Sequence, residues 1–464
     1  MKILIPLVAS LSLAACTMAP TSQPAATPAS ADTRTAIGGH IVTPSGVLRD
    51  SWIVIENGRI ASIQKDRPSA ANALATADYV FPGFVDLHNH PMYNIIPRWK
   101  PPHQYANRYE WRNDPMYRAA TALPQAEALK ASFCDVDAYV ELKMLMAGTT
   151  STIGISKPST MPSMDDCIVG LARNLDWHSG FHGAAPGKEP IANSIGITPP
   201  DIKDEAPGYA AKLKDGRLDL LAIHIAEGRR ADPQTQTEFG LLEKSSLLTG
   251  RTAIIHGIAL TEADFAKMAS VGASLVWSPR SNMVLYGDTA DVVAAIRNTV
   301  RVAIAPDWGP TGSDGILDEL AFASSLIRSR MGGTISNKQL FEMATKTPAE
   351  IARIDKEVGS LAPGLRADLF VLKSANPDPY AALTQTGAAG IGLVLVEGVP
   401  VYGDAEHMKT LNVAATEPVT VCGIRKAINS QSLSRGPLAD LARRIGNVLS
   451  ANGSSLAPLV ELCR

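Results

Sequence analysis

The order of apolar and polar positions divides the chain into two textures. Over residues 81–354, short unbroken apolar runs alternate with segments of helical period. "FPGFVDLHNH" precedes the helical "DAYVELKMLMAG", and "TTSTIGIS" follows. "LDLLAIHIAEG" and "RTAIIHGIAL" come next, the latter before "TEADFAKMASVG". "ASLVWSPRSN" precedes "DVVAAIRNT", and "VRVAIAPDWG" precedes "LDELAFASSLIRSRM". Strands that alternate with helices predict a parallel sheet, and unbroken apolar strands predict burial on both faces. An insert of this length suits an α/β fold of the (β/α)8 barrel type, with its chemistry at the C-terminal ends of the strands. Strands 3 and 4 of that barrel are expected within 170–205, where the pattern is weakest.

The second texture flanks the first. Residues 36–80 carry short apolar runs broken by "PSG" and "NGR", and Asn57-Gly58 between "IVIE" and "IASI" signals a hairpin. The same texture returns at 355–410, in "VGSLAPGLRADLFVLK" and "VLVEGVPVYG". One small β-sandwich built from both ends, with the barrel inserted, is the expected organisation. Residues 411–464 read as a polar and then helical extension containing the amphipathic "GPLADLARRIGNVLSA".

Charge narrows the partners. Lys and Arg number 43 against 45 Asp and Glu. That balance, with no basic run and no phosphate-binding loop, predicts no nucleic-acid partner and no charged membrane surface. The start of the chain adds a different signal. "MKILIPLVASLSLAAC" has a positive residue, an apolar core and small residues before Cys16, the layout of a secretory signal too short to span a membrane. Its end resembles the bacterial lipobox, which implies cleavage before Cys16 and lipidation of that residue. Thr17 then favours the outer membrane facing the periplasm. Residues 17–35, rich in Pro, Ala, Ser and Thr, read as a disordered tether. Export implies an oxidising compartment for the remaining cysteines. Cys134 with Cys167, and Cys422 with Cys463, are the expected pairs, because each pair shares a local region.

The residues that end the apolar runs carry the chemistry. His88 and His90 end the first, His224 ends "LLAI" with Glu227 three residues on, His256 ends "AII", and Asp307 ends "VAIAP". The chain has 9 histidines, and four of them stand at strand ends. Three histidines and a carboxylate are the donor set for Zn2+ or a similar ion. Asp86, on the strand before the His pair, is expected to be buried and hydrogen bonded.

The motifs "PGFVDLHNH", "IHIAEG", "IHGIAL", "SPRSNMVL", "APDWGPTGSDG" and "GSLAPGLRADLFVL" together resemble the amidohydrolase superfamily, within the cytosine deaminase-like, S-adenosylhomocysteine deaminase and triazine hydrolase branch. The resemblance runs over about residues 36–403 and implies a distorted barrel with a β-sandwich. It implies His88, His90, His224 and Asp307 as metal ligands and Glu227 as proton shuttle. It gives His256 as a residue that bonds the attacked group or becomes a further ligand. A second metal would call for a Lys or Glu at the end of strand 4. Lys188 and Lys203 lie in polar, Pro-rich surroundings, so one divalent ion is expected, zinc before iron.

Such a site hydrolyses a small molecule at a C–N bond, and deamination of a heterocycle is the leading reading. Hydrolysis of an amide, lactam or ring halide is the alternative within the class. An inactive binding lipoprotein on the same fold is the alternative outside it. Arg280, Trp308, His178 and His182 are candidate substrate contacts. The aromatic and basic stretch 93–130 is a candidate lid, with a plain surface loop as the other reading. His40, His103 and His407 read as surface or packing residues. The sequence does not set the oligomeric state, and a homo-oligomer stays open.

Overall fold

The structure is a computed structural model that describes residues 34–70, 72–155, 171–176, 189–194, 205–433 and 435–463. Cys16, Cys167, His178, His182, Lys188 and Lys203 lie outside the described residues.

Among the described residues the insert contains eight parallel strands in the expected order. β5 (Phe84–Asp86), β6 (Thr149–Thr152) and β7 (Arg173–Asn174) form a three-stranded sheet. β8 (Glu189–Ser194), β9 (Leu218–Ile225), β10 (Thr252–His256), β11 (Ser274–Trp277) and β12 (Arg301–Ile304) form a five-stranded one. The uncertain strands of the 170–205 stretch are therefore β7 and β8. The two sheets meet at one edge through a parallel bridge between Asn89 and Asp307. Among the described residues no ladder joins β7 to β8.

An apolar cluster inside these strands draws on all eight or on the residue just past each. It includes Val85, Ile153, Leu175, Ile191, Ala222, Ile255, Val276 and Ala303. Along β9 the inward series runs Leu220, Ala222 and then His224, since alternate residues share a face. Along β12 and beyond, Ala303 and Ala305 are followed by Asp307 in the same way. The apolar plug thus ends where the polar cluster begins. Helices close the outside, and their ends match their sequence. Glu262–Val271 starts on a capping box between Thr261 and Asp264 and stops at Gly272, whose φ of 77° ends it in the left-handed conformation.

The terminal β pieces do meet, but in a single nine-stranded sheet ordered β16-β17-β15-β14-β13-β4-β1-β2-β3. β1 (Thr35–Thr43), β2 (Gly46–Glu56), β3 (Arg59–Gln64) and β4 (Asn72–Pro82) come from one end. β13 (Leu369–Leu372), β14 (Ile391–Val396), β15 (Val399–Asp404), β16 (Thr416–Val421) and β17 (Ile424–Asn429) come from the other. Its own core contains Ile37, Ile53, Leu74, Leu369, Leu393 and Met408. The hairpin at Asn57-Gly58 is present, with φ of 50° and 76° at the two turn residues.

The C-terminal extension corrects the sequence reading. It opens with the hairpin β16–β17, paired to β15, before the helix Leu438–Ala451. The turn is Cys422-Gly423, with φ of 49° and 78°. Cys422 bonds Cys463, as expected from their shared region. Cys134 is also disulfide bonded.

Candidate active site

The first strand stops earlier than its apolar run suggests. β5 ends at Asp86, because the Asp86 carboxylate accepts the His88 backbone N–H at 3.1 Å and the Asn89 side-chain N–H at 2.7 Å. That local turn bends the chain and replaces strand pairing. His90 N then donates to the Asp307 carbonyl at 2.6 Å, and Asp307 N donates to the His88 carbonyl at 3.1 Å. The ends of the first and last parallel strands are thereby locked together.

Four imidazoles gather at this junction. Ring centroids of His88 lie 5.3 Å from His90, 4.8 Å from His224 and 4.8 Å from His256. The His88 Nε2 faces His224 Nε2 at 3.2 Å and Asp307 Oδ1 at 3.2 Å. His90 Nε2 is 3.6 Å from the same Asp307 oxygen. Glu227 Oε1 is 3.7 Å from His256 Nε2. Three overlapping triples, His88–His90–His224, His88–His256–Asp307 and His224–Glu227–His256, each have donor atoms within 4.8 Å of one another.

Burial settles the charge on these rings. It holds His88 well below the usual histidine range, His90 at about 4 and His256 at about 3. Those three imidazoles are therefore neutral at pH 7 and carry lone pairs. Burial also drives the Asp307 carboxyl well above its usual range when no cation stands beside it. Neutral imidazoles converging on a carboxylate fit a borderline divalent cation. Two side-chain bonds orient the rings. His88 Nδ1 meets Ser278 Oγ at 2.9 Å, and His256 Nδ1 meets Asn282 Oδ1 at 2.8 Å. Each bond leaves the opposite nitrogen, Nε2, turned to the cluster, the usual second partner of a ligating histidine. His256 and Asp307 have φ of 66° and 69°, and Ala226 beside Glu227 has 57°. Three non-glycine residues in the left-handed region mark a backbone strained at its functional end.

The cluster forms the floor of a cavity of about 270 Å³, with His90, His224, Glu227, His256 and Asp307 among its lining. Its wall is the 93–130 stretch, which supplies Tyr93, Arg108, Trp111, Arg112 and Tyr117. The stretch is tied to the site and is no detached loop. Arg108 N donates to the Glu227 carbonyl at 3.3 Å, Arg229 N donates to the Ala106 carbonyl at 2.7 Å, and Asn107 bridges to Gly228. The Arg108 side chain is buried and reaches the His224 carbonyl at 3.1 Å and Glu238 at 3.3 Å.

Of the candidate substrate contacts, Trp308 lines the cavity, with its ring 5.5 Å from Trp111. Arg280 does not. Its Nε donates to Ser313 Oγ at 2.7 Å and its guanidinium sits over Phe322, because it occupies the helix face turned away from Ser281 and Asn282. Tyr286, which the sequence did not flag, donates to Glu227 Oε1 at 2.6 Å from the end of the helix Pro279–Tyr286. Arg108 and Trp111 had only the general aromatic and basic richness of 93–130 as their signal.

A parallel-strand insert with histidines and an aspartate at its strand ends is the arrangement of a metal-dependent hydrolase, and the chain is similar to proteins of that kind. A model of the amidohydrolase family matches residues 217–401, which include His224, Glu227, His256 and Asp307. The chain is 25% identical over 396 residues to a 5-methylthioadenosine/S-adenosylhomocysteine deaminase of Desulforudis audaxviator, covering 77% of this chain and 91% of that one. In fold it is similar to a zinc-bound adenosine deaminase from Xanthomonas campestris, with a TM-score of 0.64 at 17% identity over 90% of this chain and 98% of that one. It is equally similar to a zinc complex of atrazine chlorohydrolase from Arthrobacter aurescens, with a TM-score of 0.64 at 16% identity over 81% and 100%.

Proposed function

We propose that the protein is a metal-dependent hydrolase that removes an amino group from a small heterocycle. The carrying observation is the convergence of His88 Nε2, His224 Nε2 and Asp307 Oδ1 within 3.2 Å contacts on the floor of a cavity walled by aromatic rings. The relatives named as adenosine-type deaminases support the heterocycle, and the zinc in the similar structures supports zinc as the ion. The strand order supports reading the insert as a (β/α)8 barrel.

His88, His90, His224 and Asp307 would hold the ion. A divalent ion there would supply Lewis-acid chemistry, lowering the pKa of water from 15.7 to about 7. Glu227 takes a proton from the water and delivers it to the ring nitrogen or leaving amine, which is general acid–base work. His256 has its Nδ1 engaged by the Asn282 oxygen, so Nε2 presents a lone pair in the neutral ring. That tautomer suits a further ligand or proton acceptor better than a hydrogen-bond donor. The cavity of about 270 Å³ suits a ligand near the small end of the range for such sites. Flat aromatic walls from Trp111 and Trp308 favour a planar ring.

The test is ammonia release by the zinc-loaded protein from adenosine, 5′-methylthioadenosine, S-adenosylhomocysteine, guanine and aminotriazines, with metal analysis in parallel. Bound zinc with ammonia from one of these supports the reading. Bound zinc with chloride release from a chlorotriazine, and no ammonia, moves it to ring-halide hydrolysis. No metal and no turnover returns it to a binding lipoprotein.

Export and lipid anchoring at Cys16 belong to the same proposal, supported by the lipobox-like "LAAC" and by the disulfide Cys422–Cys463. No helix among the described residues is long and apolar enough to cross a membrane. Cys16→Ser abolishes lipid labelling on this reading, and unchanged membrane association overturns it.

A further inference from the structure

Glu227 is held from an unexpected direction. Its Oε1 accepts the Tyr286 hydroxyl at 2.6 Å, and that hydroxyl oxygen in turn accepts the Trp111 indole N–H at 2.7 Å. The direction of both bonds is fixed by chemistry. An indole nitrogen is a donor only, so Tyr286 must accept from Trp111 and spend its one proton on Glu227. All three side chains meet at the active-site cavity. Glu227 and Trp111 line it, and Tyr286 is buried behind them. Trp111 packs on Trp308 and Tyr117, at 5.5 Å and 4.9 Å between rings. The backbone of the same segment is hydrogen bonded to Glu227 through Arg108 N.

We propose that Tyr286 is a positioning residue for Glu227, and that Trp111 holds Tyr286 so that the aromatic wall and the proton-transferring carboxylate are set by one hydrogen-bond chain. This rests on Glu227 as the proton-transfer residue of the proposed deaminase. A ring that stacks on Trp111 is then presented to a carboxylate already turned toward His256, with Oε1 3.7 Å from His256 Nε2. The consequence appears in turnover more than in binding, because the chain orients a catalytic group and need not touch substrate itself.

Two measurements decide it. Tyr286→Phe keeps the ring and deletes the hydroxyl. In its crystal structure the Glu227 carboxylate is expected to turn away from His256, and a carboxylate left in place overturns the proposal whatever the activity. With a substrate established on the unaltered protein, Tyr286→Phe is expected to lower kcat roughly 10–100-fold, the value of one hydrogen bond to a charged group. KM should change less than about twofold, with metal content retained. Trp111→Phe, which keeps an aromatic wall without the N–H, should lower kcat in the same direction by less. In a Glu227→Gln background the further Tyr286→Phe change should cost nothing more, since the two act as one unit. Multiplying effects overturn the chain. Full activity of Glu227→Gln alone overturns the proton-transfer reading instead, so the two failures are distinct.

Discussion

The peptide of His90 and the peptide of Asp307 are bonded to each other's strand: His90 N to Asp307 O at 2.6 Å, and Asp307 N to His88 O at 3.1 Å. The ligand pair from the first parallel strand and the carboxylate after the last are therefore set by backbone as well as by side chains. Neither can move without the other.

Removing one member of that set should cost the metal itself. His88→Ala or Asp307→Asn is expected to reduce bound zinc from about one ion per chain to a small fraction, with loss of activity by at least the 10–100-fold typical of damage around a metal. Elemental analysis after gel filtration measures it. Stoichiometric zinc in either variant would place the ion elsewhere.

The His pair and the strand-end residues were legible because strand ends are local. An apolar run followed by a polar residue of metal-binding type says which end of the strand it is and, to within a few residues, where the strand stops. Arg108, Trp111 and Tyr286 were not legible in that way. They reach the cavity from a long segment and from a helix end, and only the docking of residues 106–108 onto residues 227–229 brings them there. Arg280 misled for the opposite reason. It shares a motif with Asn282, yet two positions along a helix separate its face from that of Asn282. The hairpin β16–β17 was missed although "VCGI" carries a two-residue turn, because β16 is half polar and only one of its faces packs.

The C-terminal tail gives a stability prediction. The Cys422–Cys463 bridge closes a span of 41 residues, and Glu461 N donates to Asp314 Oδ2 at 2.9 Å beside the loop that carries Asp307. Loop closure on that scale contributes about 4 kcal/mol in the chain-entropy view. Cys422→Ser with Cys463→Ser is expected to lower unfolding free energy by about 2–4 kcal/mol, read by denaturant titration. A loss under about 0.5 kcal/mol would mean that the tail is held by its other contacts.

A buried acid gives a pH prediction. Asp137 lies in the helix Leu123–Met146 with no hydrogen-bond partner for Oδ1, and burial raises its pKa from 3.8 to about 8. The folded protein keeps a proton there that the unfolded chain releases near pH 4. The contribution is present below that pH and is lost as pH rises toward about 8. Asp137→Asn removes the ionisation, so its stability relative to the unaltered protein should improve between pH 4 and pH 8, by about 1–3 kcal/mol at the upper end. Thermal unfolding across that range checks the sign. A gap that is constant with pH would show that Asp137 ionises equally in both states.

Glu227→Gln tests the central claim most directly, with zinc content and ammonia release measured on the same sample. Glu227 is placed to move a proton and not to hold the ion, and the amide keeps its shape and its contact with Tyr286. The variant should retain about one zinc per chain while turnover falls about 10²–10⁴-fold, the range of general acid–base assistance. Undiminished ammonia release, or loss of the zinc together with the activity, would contradict the account.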